Sequence, residues 1–170
     1  MPVSLSITLN EAQRKKLSEA FKDPDLIKEP LSDFLHSSGL EIVAEARQKS
    51  PVDTGRYRGS IAHEVDIGAG TVRVGTNVEY ATVIEYGQKP GKWPPAEPIE
   101  KWAQRHGIRD RGAFYLIRRA IFRRGIEEKK TLTNALNDSK GPIKRHFKAL
   151  ANAIEKQWDK KANTSGLGGF

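Results

Sequence analysis

Residues 50–61, S-P-V-D-T-G-R-Y-R-G-S-I, form the stretch that decides the fold, because they predict a turn leading from a helix into a sheet. Pro51 fixes its own φ and disfavours a helical conformation at Ser50. Asp53 can close an Asx-turn on the following backbone, and Gly55 can adopt a positive φ. We therefore expect Pro51, Asp53 and Gly55 to have a structural role rather than to form a phosphate-binding or catalytic site.

The residues after this turn have the composition of β-strands. Apolar and polar residues alternate over residues 61–66 and again over 72–74, and the G-A-G sequence at 68–70 separates the two runs. This pattern predicts a β-hairpin. Residues 78–86 are rich in β-branched and aromatic side chains and predict a third strand.

Two motifs in this region carry a resemblance to a known family. P-V-D-T-G-R-Y-R-G-S-I is followed by V-G-T-N-V-E-Y-A-T-V-I-E-Y-G and then by an apolar and basic helical region. In this order they resemble the phage tail-completion or head–tail joining proteins typified by gene product 10 of phage HK97. The family often continues with a Pro-Phe-Leu-Arg-Pro segment, whereas here Gly125 leads into E-E-K-K at 127–130.

The resemblance implies a structural virion protein rather than an enzyme, assembled as a ring at the junction between tail and head. The implied partners are further copies of the chain in a hexamer, the tail tube or tail terminator protein, and the head connector or stopper protein. Non-specific contact with DNA in the channel is also implied. No membrane partner is expected, and the protein would be made in the host cytoplasm and reside in the virion.

Length and composition limit the classes of protein. A chain of 170 residues suits one domain with a peripheral extension. There are no cysteines, which excludes disulfides, cysteine–zinc sites and thiol nucleophiles. No apolar run approaches the roughly 20 residues of a membrane-spanning helix, and the N-terminus lacks the pattern of a signal peptide.

The charge is distributed unevenly along the chain. Residues 1–110 contain 15 Lys and Arg against 16 Asp and Glu, a net charge of −1, whereas residues 111–170 contain 14 against 5, a net charge of +9. Such asymmetry is typical of a contact with nucleic acid or another polyanion, but a solubilising basic helix has the same composition. A stand-alone, sequence-independent DNA-binding protein is therefore the alternative function.

The N-terminal third contains three further predicted elements. Residues 3–9 alternate like a half-buried strand, and residues 10–21 predict a short helix opened by a capping box. A long helix is predicted from Leu31 to Lys49. Because Ser38 and Glu41 have capping-box spacing, a helix that begins afresh at Gly39 is the alternative.

Residues 88–95, Q-K-P-G-K-W-P-P, predict a loop because three prolines restrict the backbone. Its Trp93 either covers the domain's own core or anchors a neighbouring subunit. The candidate subunit interface comprises Tyr80, Tyr86, Lys89 and Trp93. After the loop, a short helix should begin at Pro98 and direct Ile99, Trp102 and Ala103 inward.

Two amphipathic basic helices are predicted in the C-terminal part. The first, residues 112–124, places Ala113, Leu116, Ile117, Ala120 and Ile121 on one apolar face. A polar connector should follow, and then a helix in which Ile143, Phe147, Leu150, Ile154 and Trp158 form the apolar stripe. The candidate DNA- or partner-facing basic surface comprises Arg118, Arg119, Arg123, Arg124, Lys144, Arg145 and Lys148.

The sequence contains little that suggests catalysis. The four histidines are far apart in sequence, without metal-site spacing, and no phosphate-binding loop is present. Glu79 and Glu85 would lie about 20 Å apart on one face of a regular strand, too far for paired acid–base chemistry. No cofactor is expected.

The expected fold is α+β, with a small, mostly antiparallel sheet, helices packed on one face and a basic helical C-terminal extension. We divide the chain into an α+β tail-completion-like domain at 1–125, a connector and basic helix at 126–162, and a flexible tail at 163–170.

Overall fold

The computed structural model describes residues 3–8, 11 and 25–164. The predicted helix at residues 10–21 lies outside this part of the chain except for Glu11, which is helical. Residues 165–170 of the predicted tail also lie outside it, and the last helix continues to Thr164. The elements, in chain order, are β1 (Val3–Thr8), α1 (Asp25–Lys49), α2 (Arg56–Ser60), β2 (Ala62–Asp66), β3 (Thr71–Thr76), α3 (Ala81–Tyr86), α4 (Ala96–Arg105), α5 (Arg111–Arg124), α6 (Thr131–Asp138) and α7 (Lys140–Thr164).

Helix α1 runs unbroken through Ser38 and Gly39, so the alternative of a fresh start at Gly39 is wrong. Both residues are buried against the sheet. A Cβ atom added at Gly39 would lie 2.7 Å from His63 Cδ2 and 2.9 Å from Val72 Cγ2. The small residues therefore allow the helix to approach the sheet closely and do not form a cap.

The sheet has three antiparallel strands in the order β1-β3-β2. The predicted hairpin is confirmed: β2 pairs with β3, with His63 opposite Val74 and Val65 opposite Val72. Val72 and Val74 are buried beneath α1, while Arg73 points to the exposed face. The N-terminal strand β1 pairs with the other edge of β3, which makes β3 the central strand.

The third predicted strand is wrong, because residues 81–86 form helix α3. Ala81 is fully buried in the core, and the Glu85 side chain is also buried. Thr82, Val83 and Ile84 give this segment a local propensity for β structure. Tertiary packing outweighs that propensity, and the segment is helical.

The polar connector predicted after α5 is also wrong in part, because it contains helix α6. Leu132 and Ala135 are fully buried, and Leu136 packs against the same core cluster. These apolar residues have helical spacing, which the surrounding Thr, Asn and Asp residues obscure in the sequence.

Two groups of buried side chains form the core on the helical side of the sheet. The first joins the C-terminal half of α1 to α2, α3 and α6, and it includes Ile42, Tyr57 and Leu132. The second joins the N-terminal half of α1 to α7, through Leu35, Leu150 and Ile154. The predicted α+β class is thus confirmed, with α7 packed along α1 rather than detached from it.

The apolar stripe of α7 is oriented as predicted over most of its length. Leu150 and Ile154 are buried, and Phe147 makes an edge contact with Phe34 at a ring-centroid distance of 5.8 Å, although Phe147 and Trp158 retain substantial exposure. Helices α4 and α5 pack on each other.

The predicted inner faces of α4 and α5 need correction. In α4, Ala103 is buried, but Trp102 is exposed and stacks on His106. In α5, Phe114 is the buried residue, and Leu116, expected inside, is 60% exposed. Ala113, Ile117 and Ile121 of the predicted face are half-buried, whereas Leu116 and Ala120 are exposed, so the inner face is shifted toward Phe114.

Candidate assembly surface

The turn at residues 50–55 has the predicted left-handed glycine but a different role for its aspartate. Gly55 has a φ of 77° and precedes α2, and its carbonyl accepts a hydrogen bond from Gly59 N at 2.8 Å. Thr54 Oγ1, and not Asp53, accepts from the backbone N of Arg56, at 3.4 Å. The Asx-turn predicted at Asp53 is thus replaced by a turn at Thr54.

Asp53 instead joins the turn to helix α4. Its carboxylate forms an ion pair with the guanidinium of Arg105, and Arg105 Nε lies 3.3 Å from Asp53 Oδ1. The hydrogen bond from Arg105 lowers the pKa of Asp53 below its ordinary value. Because α4 and α5 pack on each other, this pair holds one end of the α4–α5 unit beside the C-terminal end of α1.

A second attachment of that unit consists of two backbone hydrogen bonds. Gln88 N donates to Ile126 O and Ile126 N donates to Gln88 O, each at 2.8 Å. Gly87 and Gly125 flank this bridge and both have positive φ. A Cβ atom added at Gly87 would lie 2.4 Å from Ile126 O, and one added at Gly125 would lie 2.2 Å from Gln88 O. Only glycine therefore permits these two segments of the chain to approach so closely.

Trp93 lies on helix α5 and not on the main core. Its ring stacks on Phe122 at a centroid distance of 4.8 Å and on Tyr115 at 6.0 Å. The guanidinium of Arg118 lies 5.5 Å from the Trp93 ring, a cation–π contact, and donates hydrogen bonds to Pro94 O from Nε and Nη2. Trp93 nevertheless remains 43% exposed.

Sequence reasoning missed Tyr115 and Phe122 as partners of Trp93. Their spacing of seven residues, two turns of a helix, places both on one side of α5 and is the signal that could have indicated them. The alternatives for Trp93 were a cover over the domain core and a subunit anchor. The structure adds a third position, a partly exposed aromatic cluster formed with α5.

The other candidate interface residues are exposed but do not lie on a strand. Tyr80 precedes α3 and contacts the ring of Tyr57 at 6.4 Å, and Tyr86, the last residue of α3, is 61% exposed. Lys89 is exposed in the loop that bears Trp93. Tyr80 therefore lies in the turn before α3 and Tyr86 lies in α3 itself, not in the strand predicted over residues 78–86.

The predicted basic surface falls into two groups on different helices. Arg119, Arg123 and Arg124 are exposed on α5, and Arg118 is held against Trp93 and Pro94. The other three residues are exposed on α7, which packs on α1; they are Lys144, Arg145 and Lys148. The predicted basic surface is thus carried by two helices with different packing partners, α4 for α5 and α1 for α7.

Glu85 has a role that the strand prediction could not show. Its carboxylate is 1% exposed and accepts hydrogen bonds from the backbone N of Leu132 and of Thr133, each at 2.9 Å, and from Thr133 Oγ1 at 2.6 Å. It therefore satisfies the first amide groups of α6 from another helix. The estimate of a 20 Å separation from Glu79 does not apply, because the two residues do not share a strand.

Two histidines that are distant in sequence meet between α1 and β2. His36 Nδ1 and His63 Nε2 are 3.3 Å apart, and the rings are in an edge-to-face arrangement. Burial, followed by the charge of His36, lowers the pKa of His63. The fold thus brings together two histidines that are 27 residues apart in sequence, although the described part of the chain contains no group of three or more possible metal ligands.

The comparison with known families supports the resemblance drawn from the two sequence motifs. A family model described as "Bacteriophage HK97-gp10, putative tail-component" matches residues 11–87. The matched family is the one that the two motifs resemble, and the match covers somewhat less than half of the 170 residues. The matched segment includes α1, the turn at residues 50–55, the hairpin and α3, which together form most of the first core cluster.

This match indicates a phage tail component, and with it a structural protein of the virion that contacts other virion proteins. No curated protein and no solved structure matched the chain. Over the described residues, no helix has both the length and the apolar character needed to cross a membrane.

Proposed function

We propose that this protein is a tail-completion or head–tail joining protein that assembles as a ring at the junction between the tail and the head of a phage. The observation that carries the proposal is the family match over residues 11–87, which contains both sequence motifs. A junction around a DNA channel requires a closed ring, because a repeated heterologous contact that does not close produces a filament.

The surface chemistry is compatible with such a role. The loop that bears Trp93 and the adjacent face of α5 expose aromatic and arginine side chains, which are enriched at the centres of protein interfaces. The proposed partners are further copies of the chain in a hexamer, the tail tube or tail terminator protein, and the head connector or stopper protein. The protein would be made in the host cytoplasm, reside in the neck of the virion and catalyse no reaction.

The excess of basic charge in residues 111–170 favours one alternative, a stand-alone DNA-binding protein. The two functions differ in assembly and in salt dependence. A ring protein should form closed oligomers or occupy the end of purified tails, whereas a stand-alone binder should hold duplex DNA as a monomer or dimer with a steep salt dependence.

Electron microscopy of the purified protein, alone and mixed with tails that lack it, tests the proposal. Rings in solution, or an added disc at one end of each tail, are the expected result. A monomer that leaves the tails unchanged and binds duplex DNA tightly at physiological salt would establish the alternative.

A further inference from the structure

The outward face of α5 combines apolar and cationic side chains. Tyr115 is 53% and Leu116 60% exposed, and Arg119, Arg123 and Arg124 are exposed around them. Trp93 extends this face through its stacking on Tyr115. We call these residues the α5 outer face.

An acidic surface lies at the N-terminal end of α1. Glu29 and Asp33 are one turn apart on α1, both exposed, and they line a shallow depression of about 300 Å³ together with Lys28, Ser32 and Ile67. Ile67 follows β2, and the neighbouring Asp66, the last residue of β2, is exposed. We call this surface the acidic end; its three carboxylates outnumber its one lysine.

Helix α1 separates the two surfaces. The ion pair between Asp53 and Arg105 attaches the α4–α5 unit four residues after the last residue of α1, whereas the acidic end lies in the first turns of that helix. A helix of 25 residues is about 37 Å long. The attachment of the α4–α5 unit at Asp53 and the acidic end are therefore separated by most of the length of α1. The two surfaces differ from each other, as a head-to-tail contact requires.

We propose that the α5 outer face of one copy of this chain docks on the acidic end of the next copy, and that this contact closes the ring. The inference rests on the proposed function, since it assigns the contact by which the ring forms. The arginines of one copy would pair with Glu29 and Asp33 of the next.

The chemistry of the two surfaces supports this assignment. Arginine forms bidentate contacts with carboxylates and also packs on aromatic rings, so it suits a mixed surface. The depression beside Ile67 offers an apolar contact for an exposed aromatic side chain. Opposite charges on the two surfaces would also disfavour contacts between two identical faces, which would end in dimers rather than a ring.

Paired charge reversals test the contact. One variant carries Arg123→Glu and Arg124→Glu, and a second carries Glu29→Lys and Asp33→Lys. The control carries Lys140→Glu and Lys156→Glu on α7, two exposed lysines outside the candidate basic surface, with the same change in net charge as the first variant. Circular dichroism and thermal melting establish folding, and sedimentation velocity with negative-stain microscopy measures assembly.

We expect the wild type and the α7 control to form rings, and each of the other variants to remain monomeric alone. An equimolar mixture of those two variants should restore rings, because each reversed surface then meets a complementary one. Such a ring must alternate between the variants and contain an even number of subunits.

Two results would overturn the interface while leaving the ring intact. These are rings formed by either reversed variant alone, and a mixture of folded variants that stays monomeric although the wild type assembles. A wild type that remains monomeric alone and does not occupy tails would instead refute the proposed ring and, with it, this contact.

Discussion

The carboxylate of Glu85, in α3, caps helix α6 by accepting hydrogen bonds from the backbone N and the hydroxyl of Thr133, 48 residues later in the chain. This contact joins the family-matched segment to the C-terminal part of the protein. The neighbouring backbone strengthens it, since Lys129 N donates to Ile84 O at 2.8 Å. The C-terminal end of α3 thus positions the N-terminal end of α6.

Replacing Glu85 with Ala should lower the free energy of unfolding by about 1–3 kcal/mol, because buried amide groups of α6 lose their acceptor. Urea denaturation followed by circular dichroism measures this change. Glu79→Ala, at an exposed carboxylate in the same segment, is the control and should change stability by less than about 0.5 kcal/mol. Equal stability of the Glu85→Ala variant and the wild type would show that α6 does not depend on this cap.

Gly55→Val should lower the free energy of unfolding by about 1–3 kcal/mol, because a β-branched residue is strained at a φ of 77°. Space is not limiting, since an added Cβ would contact nothing within 4 Å. Gly59→Ala, which also has open space but no positive φ, is the matched control for thermal melting. A Gly55→Val variant that melts like the wild type but no longer assembles would assign the turn to an interface.

Trp93→Ala should weaken assembly more than it weakens folding, because the side chain is 43% exposed and contacts α5 rather than the main core. Sedimentation measures the first effect and thermal melting the second. Trp102→Ala, at a similarly exposed tryptophan stacked on His106, should leave assembly unchanged. Proportionate losses of assembly and stability in the Trp93 variant would indicate a purely structural role.

Protonation of His63 should lower the free energy of unfolding as the pH decreases below about 6.5. The pKa of His63 is lowered in the folded protein, so the unfolded chain binds the proton more readily and acid favours unfolding. The stabilising effect is complete above the unfolded pKa and is lost below it. Urea titrations between pH 5 and 7.5 should show a smaller pH dependence in His63→Gln than in the wild type.

His106→Gln is the control for this titration, because His106 contacts Trp102 and lies away from the pair formed by His36 and His63. It should retain the wild-type pH dependence. If His63→Gln retains it as well, protonation of His63 is not linked to folding.

The basic residues of α7 should contact DNA phosphates in the assembled ring without preference for sequence. A variant in which Lys144, Arg145 and Lys148 are all replaced with Ala should bind DNA with a weaker salt dependence. The slope of the logarithm of the binding constant against the logarithm of the salt concentration should become shallower by about 2–3, since each lost phosphate contact removes about 0.9. Lys28→Ala, at the acidic end, should leave the slope unchanged. If the slope is unchanged in the triple variant, these residues do not contact DNA, and a docking surface for an acidic partner protein is indicated instead.

The sequence by itself determined the elements whose signals are local. The alternation of apolar and polar residues over 61–66 and 72–74, with glycines between the two runs, specifies the hairpin. The spacing of apolar residues in α1 and α7 specifies two long helices. The motifs around Gly55 and Tyr80 carried the resemblance to the matched family, because each motif is contiguous in the chain. The charge asymmetry is likewise a property of composition alone.

Only the tertiary structure decided the features that depend on distant partners. Residues 81–86 form a helix although they have strand propensity, since Ala81 enters the core and Glu85 reaches α6. Gly39 permits a close contact with His63 whose distance no local pattern specifies. The position of Trp93 on α5 follows from packing across the chain, where the burial of long-range contacts outweighs the small free-energy differences that set local propensity.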